Sequence, residues 1–186
     1  MNGVIERRTA IELRAEGDKK SPRLVGHAAI YNSPSQDLGG FTEIVLPGAF
    51  KRTLATDRDP LALVHHMPQL VLGRRSAGTL RLQADERGLA FEIDVPDTSA
   101  ARDLLVSVER GDVRGASFAF SVPAGGDRWE MRNGAAVREL IDVDLHEITI
   151  TASPAYLDTN VAKRSYELHF ASAPRLRSLR RFLETI

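Results

Sequence analysis

At 186 residues the chain has the length of one ordinary domain with a tail. It contains no cysteine, which excludes disulfide staples, zinc–thiolate and iron–sulfur sites and a cysteine nucleophile, so covalent catalysis would have to use oxygen or nitrogen. With 25 basic and 25 acidic residues the formal net charge is zero, which argues against a general nucleic-acid binder and against attraction to an anionic membrane.

The first residues, Met1 to Arg8, lack the apolar stretch of a signal peptide, and no hydrophobic run approaches membrane-spanning length, so a cytoplasmic soluble protein is expected. Ile11, Leu13 and Ala15 alternate with charged residues, and after the polar turn Gly17–Pro22 a second β-like stretch runs from Arg23 to Tyr31; together they predict a hairpin. Asn32–Gly40 is turn chemistry throughout and predicts a mobile surface loop. Glu43–Leu46 then leads through Pro47-Gly48 to a short helical piece near Ala49. Leu61–His65, Thr79–Gln83 and Leu89–Val95 are strand candidates, the last two joined across Asp85–Gly88.

The clearest helix follows Asp97-Thr98-Ser99, whose side chains offer capping oxygens, and it places Ala101, Leu104, Leu105 and Val108 on one face before Gly111 ends it. It delivers the chain to Gly115-Ala116-Ser117-Phe118-Ala119-Phe120. A Gly125-Gly126 loop, the Trp129 segment, an Arg132-Asn133-Gly134 turn and a β-rich stretch from Val137 to Thr151 follow. From Pro174 the pattern is helical, with Leu176, Leu179, Phe182, Leu183 and Ile186 on an apolar stripe among arginines. Many short strands with few helices imply a mainly β, α+β chain with a closed β-barrel-like core decorated by helices, not a parallel α/β sheet.

Ser117 is the candidate nucleophile, though a strand serine is equally a packing choice. A serine hydroxyl needs a base to take its proton and donors to hold the developing oxyanion. Histidine suits the base, and five are present: His27, His65, His66, His146 and His169. His65 and His66 end an apolar run, where strand alternation would send them to opposite faces, so at most one serves a shared site. Adjacent histidines also diverge, which disfavours a metal site. In Leu145–Thr151, alternation puts Glu147 with Leu145, Thr149 and Thr151, and His146 with Ile148 and Ile150; either polar residue could point inward. A buried carboxylate is stabilised by pairing with an imidazole, which also fixes the tautomer a serine base needs. Gly73-Arg74-Arg75 and Asp57-Arg58-Asp59 have ordinary solvated explanations.

The strings Gly26–Asn32, Phe41–Phe50, His65–Gly73, Asp85–Leu89, Pro96-Asp97-Thr98, Gly115–Phe120, Leu145–Thr149 and Ser153–Tyr156, in this order and spacing, resemble the prohead serine proteases of tailed bacteriophages. That family processes capsid and scaffolding proteins during head maturation and is similar in fold to herpesvirus assembly proteases. Its pattern carries an Asn-His-Asp string seven residues before the glycine of an Ile/Leu-Gly pair. That spacing from Gly73 selects His66 over His65 as base; His65 and Met67 stand where the family has Asn and Asp.

The resemblance aligns Ser117 with the nucleophile and Glu147 with the acidic third member, with His146 as the alternative because the herpesvirus enzymes use a histidine there. It implies a protease domain over 1–165, a basic amphipathic tail over 166–186 and no cofactor. The implied substrates are the major capsid protein, its scaffold region and the chain itself. No nucleic-acid or membrane partner is implied; a homo-oligomer is admitted, and the setting would be the host cytoplasm inside assembling procapsids. The alternative reading is a non-enzymatic capsid assembly factor on a degenerate protease fold. An esterase would want a Gly-x-Ser-x-Gly elbow, which is missing around Ser117.

Overall fold

The computed structural model describes residues 4–10, 12–18 and 21–152, together with Tyr166. The strands are β1 (Glu6–Ala10), β2 (Leu13–Glu16), β3 (Arg23–Ile30), β4 (Phe41–Val45), β5 (Leu61–Val64), β6 (Met67–Arg74), β7 (Leu80–Ala84), β8 (Gly88–Asp94), β9 (Gly115–Ser121), β10 (Asp127–Arg132), β11 (Ala135–Leu140) and β12 (Asp144–Thr151). Two helices accompany them, α1 (Lys51–Ala55) and α2 (Ser99–Glu109). The mainly β expectation holds. The expected closed barrel does not: among the described residues the ladders form three sheets, in orders β1-β9-β12-β5-β6, β10-β11-β4 and β2-β3-β8-β7. Two of the pairings, β12 with β5 and β11 with β4, are parallel.

The hairpins β2–β3, β7–β8 and β10–β11 form as their alternation and turn residues predict, the last through Asn133 and Gly134, both at positive φ. Helix α2 is capped by Thr98, whose Oγ1 accepts from the Ala101 N–H, and buries Ala101, Leu104 and Val108 before Gly111 turns the chain at φ 80°. One core cluster joins Phe50, Phe118, Phe120, Ile148 and Ile150 to Leu24, Phe91 and Ile93 of the four-stranded sheet.

The 32–40 segment is pinned where a mobile loop was expected. Leu38 is fully buried against Phe41 and Ala136, Asp37 Oδ1 accepts from the Gly39 and Gly40 N–H groups at 2.6 and 2.7 Å, and Ser35 Oγ accepts from Glu43 N–H at 2.9 Å. Turn chemistry gives the segment its shape, and one apolar residue holds it down. Arg75 and Asp59 tie a turn together through hydrogen bonds that are mostly exposed. The Arg75 guanidinium donates to the carbonyls of Thr56, Arg58 and Leu54 around the end of α1, and Asp59 accepts from the Ser76 backbone and hydroxyl.

One strand had no periodic signal. β1 is only five residues long and mostly charged, yet it closes the edge of the five-stranded sheet against β9. It does so with a buried charge cluster. Arg8 donates to Glu43 at 2.7 and 2.9 Å and to Glu6 at 2.8 Å, while Arg138 donates to Glu6 at 2.7 and 2.9 Å, to Glu43 at 3.1 Å and to Asp127 at 2.8 Å. Burial opposes charge on Arg138, but the neighbouring Glu6 and Glu43 carboxylates outweigh it and hold the guanidinium above its ordinary pKa. The cluster joins β1 to the three-stranded sheet. Of the expected C-terminal tail, only Tyr166 is among the described residues; its ring lies parallel to Phe41 at 5.9 Å. The helix expected from Pro174 and the rest of the 166–186 tail lie outside them.

Candidate active site

All seven residues of β9 are buried. Phe118 and Phe120 stack on each other at 5.1 Å and join the core, which leaves Ser117 and Ala119 on the opposite side of the strand. Ser117 has Thr9 of β1 and Thr149 of β12 as its cross-strand partners. Ser117 is fully buried.

His65 and His66 occupy a turn, where a strand ending had been expected. Val64 and Met67 pair across it, and both histidines are left-handed, with φ of 49° and 58°. Two consecutive positive φ values are the geometry of a two-residue hairpin turn, a place where Asn and Gly are usual. Strand alternation therefore does not govern these side chains. Their separation comes from the turn: the His65 ring meets Thr151 Oγ1 at 3.1 Å, and the His66 ring enters the space above β9 and β12.

Strand β12 brings Glu147 there. Its alternation is broken at His146, where the ladder with β9 shifts register: Leu145 lies across from Phe120 and Glu147 across from Ala119. Leu145 consequently packs in the core, where unbroken alternation would have set it beside Glu147. The carboxylate faces His66. Glu147 Oε1 is 2.5 Å from His66 Nδ1, and His66 Nε2 is 3.1 Å from Ser117 Oγ. The His66 and Glu147 side chains are only 19% and 16% exposed, so the pair is largely shielded from water. With Nδ1–H donating to the carboxylate, Nε2 carries the lone pair and accepts from the Ser117 hydroxyl. That is the arrangement in which an imidazole can remove a hydroxyl proton and have its resulting charge balanced.

The two alternatives go elsewhere. His65 touches neither Ser117 nor Glu147 in any described hydrogen bond, and His146 Nε2 lies 2.9 Å from Ser121 Oγ. Burial, followed by the nearby Arg58 charge, pushes the His146 pKa below its ordinary value and favours the neutral ring beside the Ser121 hydroxyl. Arg58 itself pairs with Asp144 at 2.9 Å. His27 is engaged between Glu12 at 2.8 Å and Asp85 at 2.9 Å, and His169 lies outside the described residues.

Sequence reasoning passed over Thr149, whose pattern reads as an ordinary β-branched strand residue. Its hydroxyl accepts from the His66 N–H at 2.9 Å and donates to the Leu63 carbonyl at 3.0 Å. An open pocket of about 300 Å³ adjoins β9 on the other side, lined by Phe118 with Arg8, Ala29, Gln36 and Glu43, and does not open onto Ser117. Among the described residues no cluster of three or more metal-ligating side chains occurs, and no helix is long and apolar enough to cross a membrane.

The prohead protease of Enterobacteria phage HK97 is 30% identical over 154 residues, which cover 81% of this chain and 64% of that protein, so the chain spans less than two thirds of that relative's length. The solved structure of the bacteriophage T4 capsid assembly protease aligns with a TM-score of 0.47 at 7% identity, covering 78% of this chain and 98% of that one. The family model of the caudovirus prohead serine proteases matches residues 9–171, a span that contains Ser117, His66 and Glu147, and the protein belongs to that family.

Proposed function

We propose that this protein is a serine endopeptidase of phage head maturation, with Ser117 as nucleophile, His66 as general base and acid, and Glu147 as the residue that orients and charge-balances His66. The observation that carries the reading is the continuous chain of contacts from Glu147 through both ring nitrogens of His66 to Ser117. In the mechanism, Ser117 Oγ attacks the scissile carbonyl carbon as His66 Nε2 takes its proton, giving a tetrahedral oxyanion and an imidazolium paired with Glu147. The imidazolium then protonates the leaving amine as the C–N bond breaks. Water attacks the acyl-serine by the same proton route in reverse and frees the carboxylate product.

Family membership supports the substrate class: the major capsid protein, its scaffold region and the protein's own chain, cut inside assembling procapsids in the host cytoplasm. Likeness of fold to the herpesvirus assembly proteases is part of the same reading and rests on the sequence resemblance. So does the division into a protease domain over 1–165 and a basic tail over 166–186.

The test is co-expression with the capsid precursor of the same phage, with new N-termini mapped by mass spectrometry. Ser117→Ala should abolish every cut while the fold survives, a loss on the order of 10⁶ in kcat. Unchanged cleavage by folded Ser117→Ala would remove Ser117 from the mechanism, and the absence of any new N-terminus with the parental chain would leave the assembly-factor reading in its place.

A further inference from the structure

We infer that Thr149 is a positioning residue of this site: its hydroxyl holds the left-handed His65-His66 turn in the one conformation that puts the His66 ring between Glu147 and Ser117. The inference rests on the reading of His66 as the base.

A two-residue hairpin turn normally leaves the N–H of its second central residue without a partner in the ladder, and that residue here is His66. Thr149 supplies the partner. It is fully buried, and its Oγ1 both accepts from His66 N–H at 2.9 Å and donates to the Leu63 carbonyl at 3.0 Å, spanning the turn from the residue before Val64 to the residue before Met67. Neighbouring residues of β12 complete the grip. The His65 N–H donates to the Ile150 carbonyl at 3.1 Å, and the His65 ring meets Thr151 Oγ1.

Two imidazole-bearing residues at positive φ are strained and persist only where the surroundings over-determine them. The Ile150 carbonyl would hold the first of them whatever side chains β12 carried. The second depends on a side-chain hydroxyl at 149. Because Thr149 is also the cross-strand partner of Ser117, the same residue fixes the base and flanks the nucleophile.

The experiment compares Thr149→Val, Thr149→Ser and Thr149→Cys in the full chain, with two readouts. One is the rate of covalent labelling by a fluorophosphonate probe, measured well below each variant's melting temperature. The other is the low-field proton resonance of His66 Nδ1–H, assigned in protein labelled with 15N-histidine and identified by its loss in Glu147→Gln. Thr149→Ser keeps donor and acceptor and should retain the resonance and near-parental labelling. Thr149→Val should lose or broaden the resonance and label about 10²-fold more slowly, the penalty of a misplaced reacting group.

If Thr149→Val does not fold, the order Ser above Cys makes the same discrimination, since a thiol is a weak hydrogen-bonding group. Retention of both signals in Thr149→Val, or parity of Ser and Cys, overturns the inference. Failure of the underlying reading looks different: Ser117→Ala would still cleave substrate, while the resonance would continue to report on His66 geometry by itself.

Discussion

Glu147→Gln separates orientation from charge at the centre of the proposed mechanism. The carboxylate lies 2.5 Å from His66 Nδ1 and is shielded, so its loss removes a charge-assisted hydrogen bond in a poorly screened place. A hydrogen bond to a charged group contributes about 1.5–3 kcal/mol, and at that value the imidazolium formed during attack would cost roughly 10- to 150-fold in rate. A second effect multiplies it. The glutamine amide can turn its NH2 toward Nδ1; Nδ1 then has to be the acceptor, Nε2 carries the proton, and the ring cannot take one from Ser117. With the wrong tautomer dominant the expected loss reaches the order of 10⁴ in kcat.

The assay is single-turnover cleavage of the capsid precursor alongside fluorophosphonate labelling, with thermal melting to show that the variant is folded. Because Ser117 and His66 remain in place, the variant should still label, slowly. A folded Glu147→Gln protein within tenfold of the parent would refute the assignment of Glu147 as the orienting residue.

Two further outcomes follow from the charges described above. Glu43→Ala leaves the Arg8 and Arg138 guanidinium groups short of three hydrogen bonds in a buried setting, and breaking a buried pair in this way costs about 3–5 kcal/mol, read as a drop in the urea midpoint. Glu16→Ala, which breaks the exposed pair with Arg14, should cost about 0–1 kcal/mol; equal effects would show that the cluster is no more than a surface network. The His146 pKa is depressed in the folded state, so the unfolded chain binds its proton more readily. Stability contributed by this ring is full above the ordinary histidine value of about 6.5 and falls as pH drops below it. Unfolding measured between pH 7.5 and 5 should show a slope that His146→Gln reduces, and identical pH dependence in the two proteins would contradict it.

Much of this was legible in the sequence wherever period and turn chemistry agreed. The β7–β8 and β10–β11 hairpins, the Thr98 cap of α2 and the buried Phe118–Phe120 pair all follow from local rules. The three site residues were reached through family resemblance combined with the chemistry a serine requires, and spacing to Gly73 singled out His66. What stayed hidden was non-local. β1 reads as a charged N-terminal stretch because its inward side chains are Glu6 and Arg8, whose burial depends on Glu43 and Arg138 far along the chain. The Thr149 hydroxyl has no signature at all, since its partners lie on β5 and the turn beyond it, far away in the sequence. His65 and His66 misled because a period-2 reading was carried one residue too far, past Val64 and into a turn that lacks the usual Asn or Gly.

The geometry of the site depends on the pairing of one strand. β12 lies parallel to β5, with Ile150 beside Val64, which carries the turn beyond β5 directly against residues 149 to 151; it is antiparallel to β9, with Thr149 beside Ser117. One strand therefore sets His66 and Ser117 in a single register. A slip of one residue would turn Glu147 and Thr149 to the core face together, so the site tolerates no approximate alternative. Yet the core needs Leu145 on the Phe120 side, two residues from a Glu147 that must face the other way, and simple alternation cannot satisfy both demands. The irregularity at His146 resolves the conflict: the extra residue lets Leu145 join the core and Glu147 reach His66, and the displaced imidazole finds Ser121.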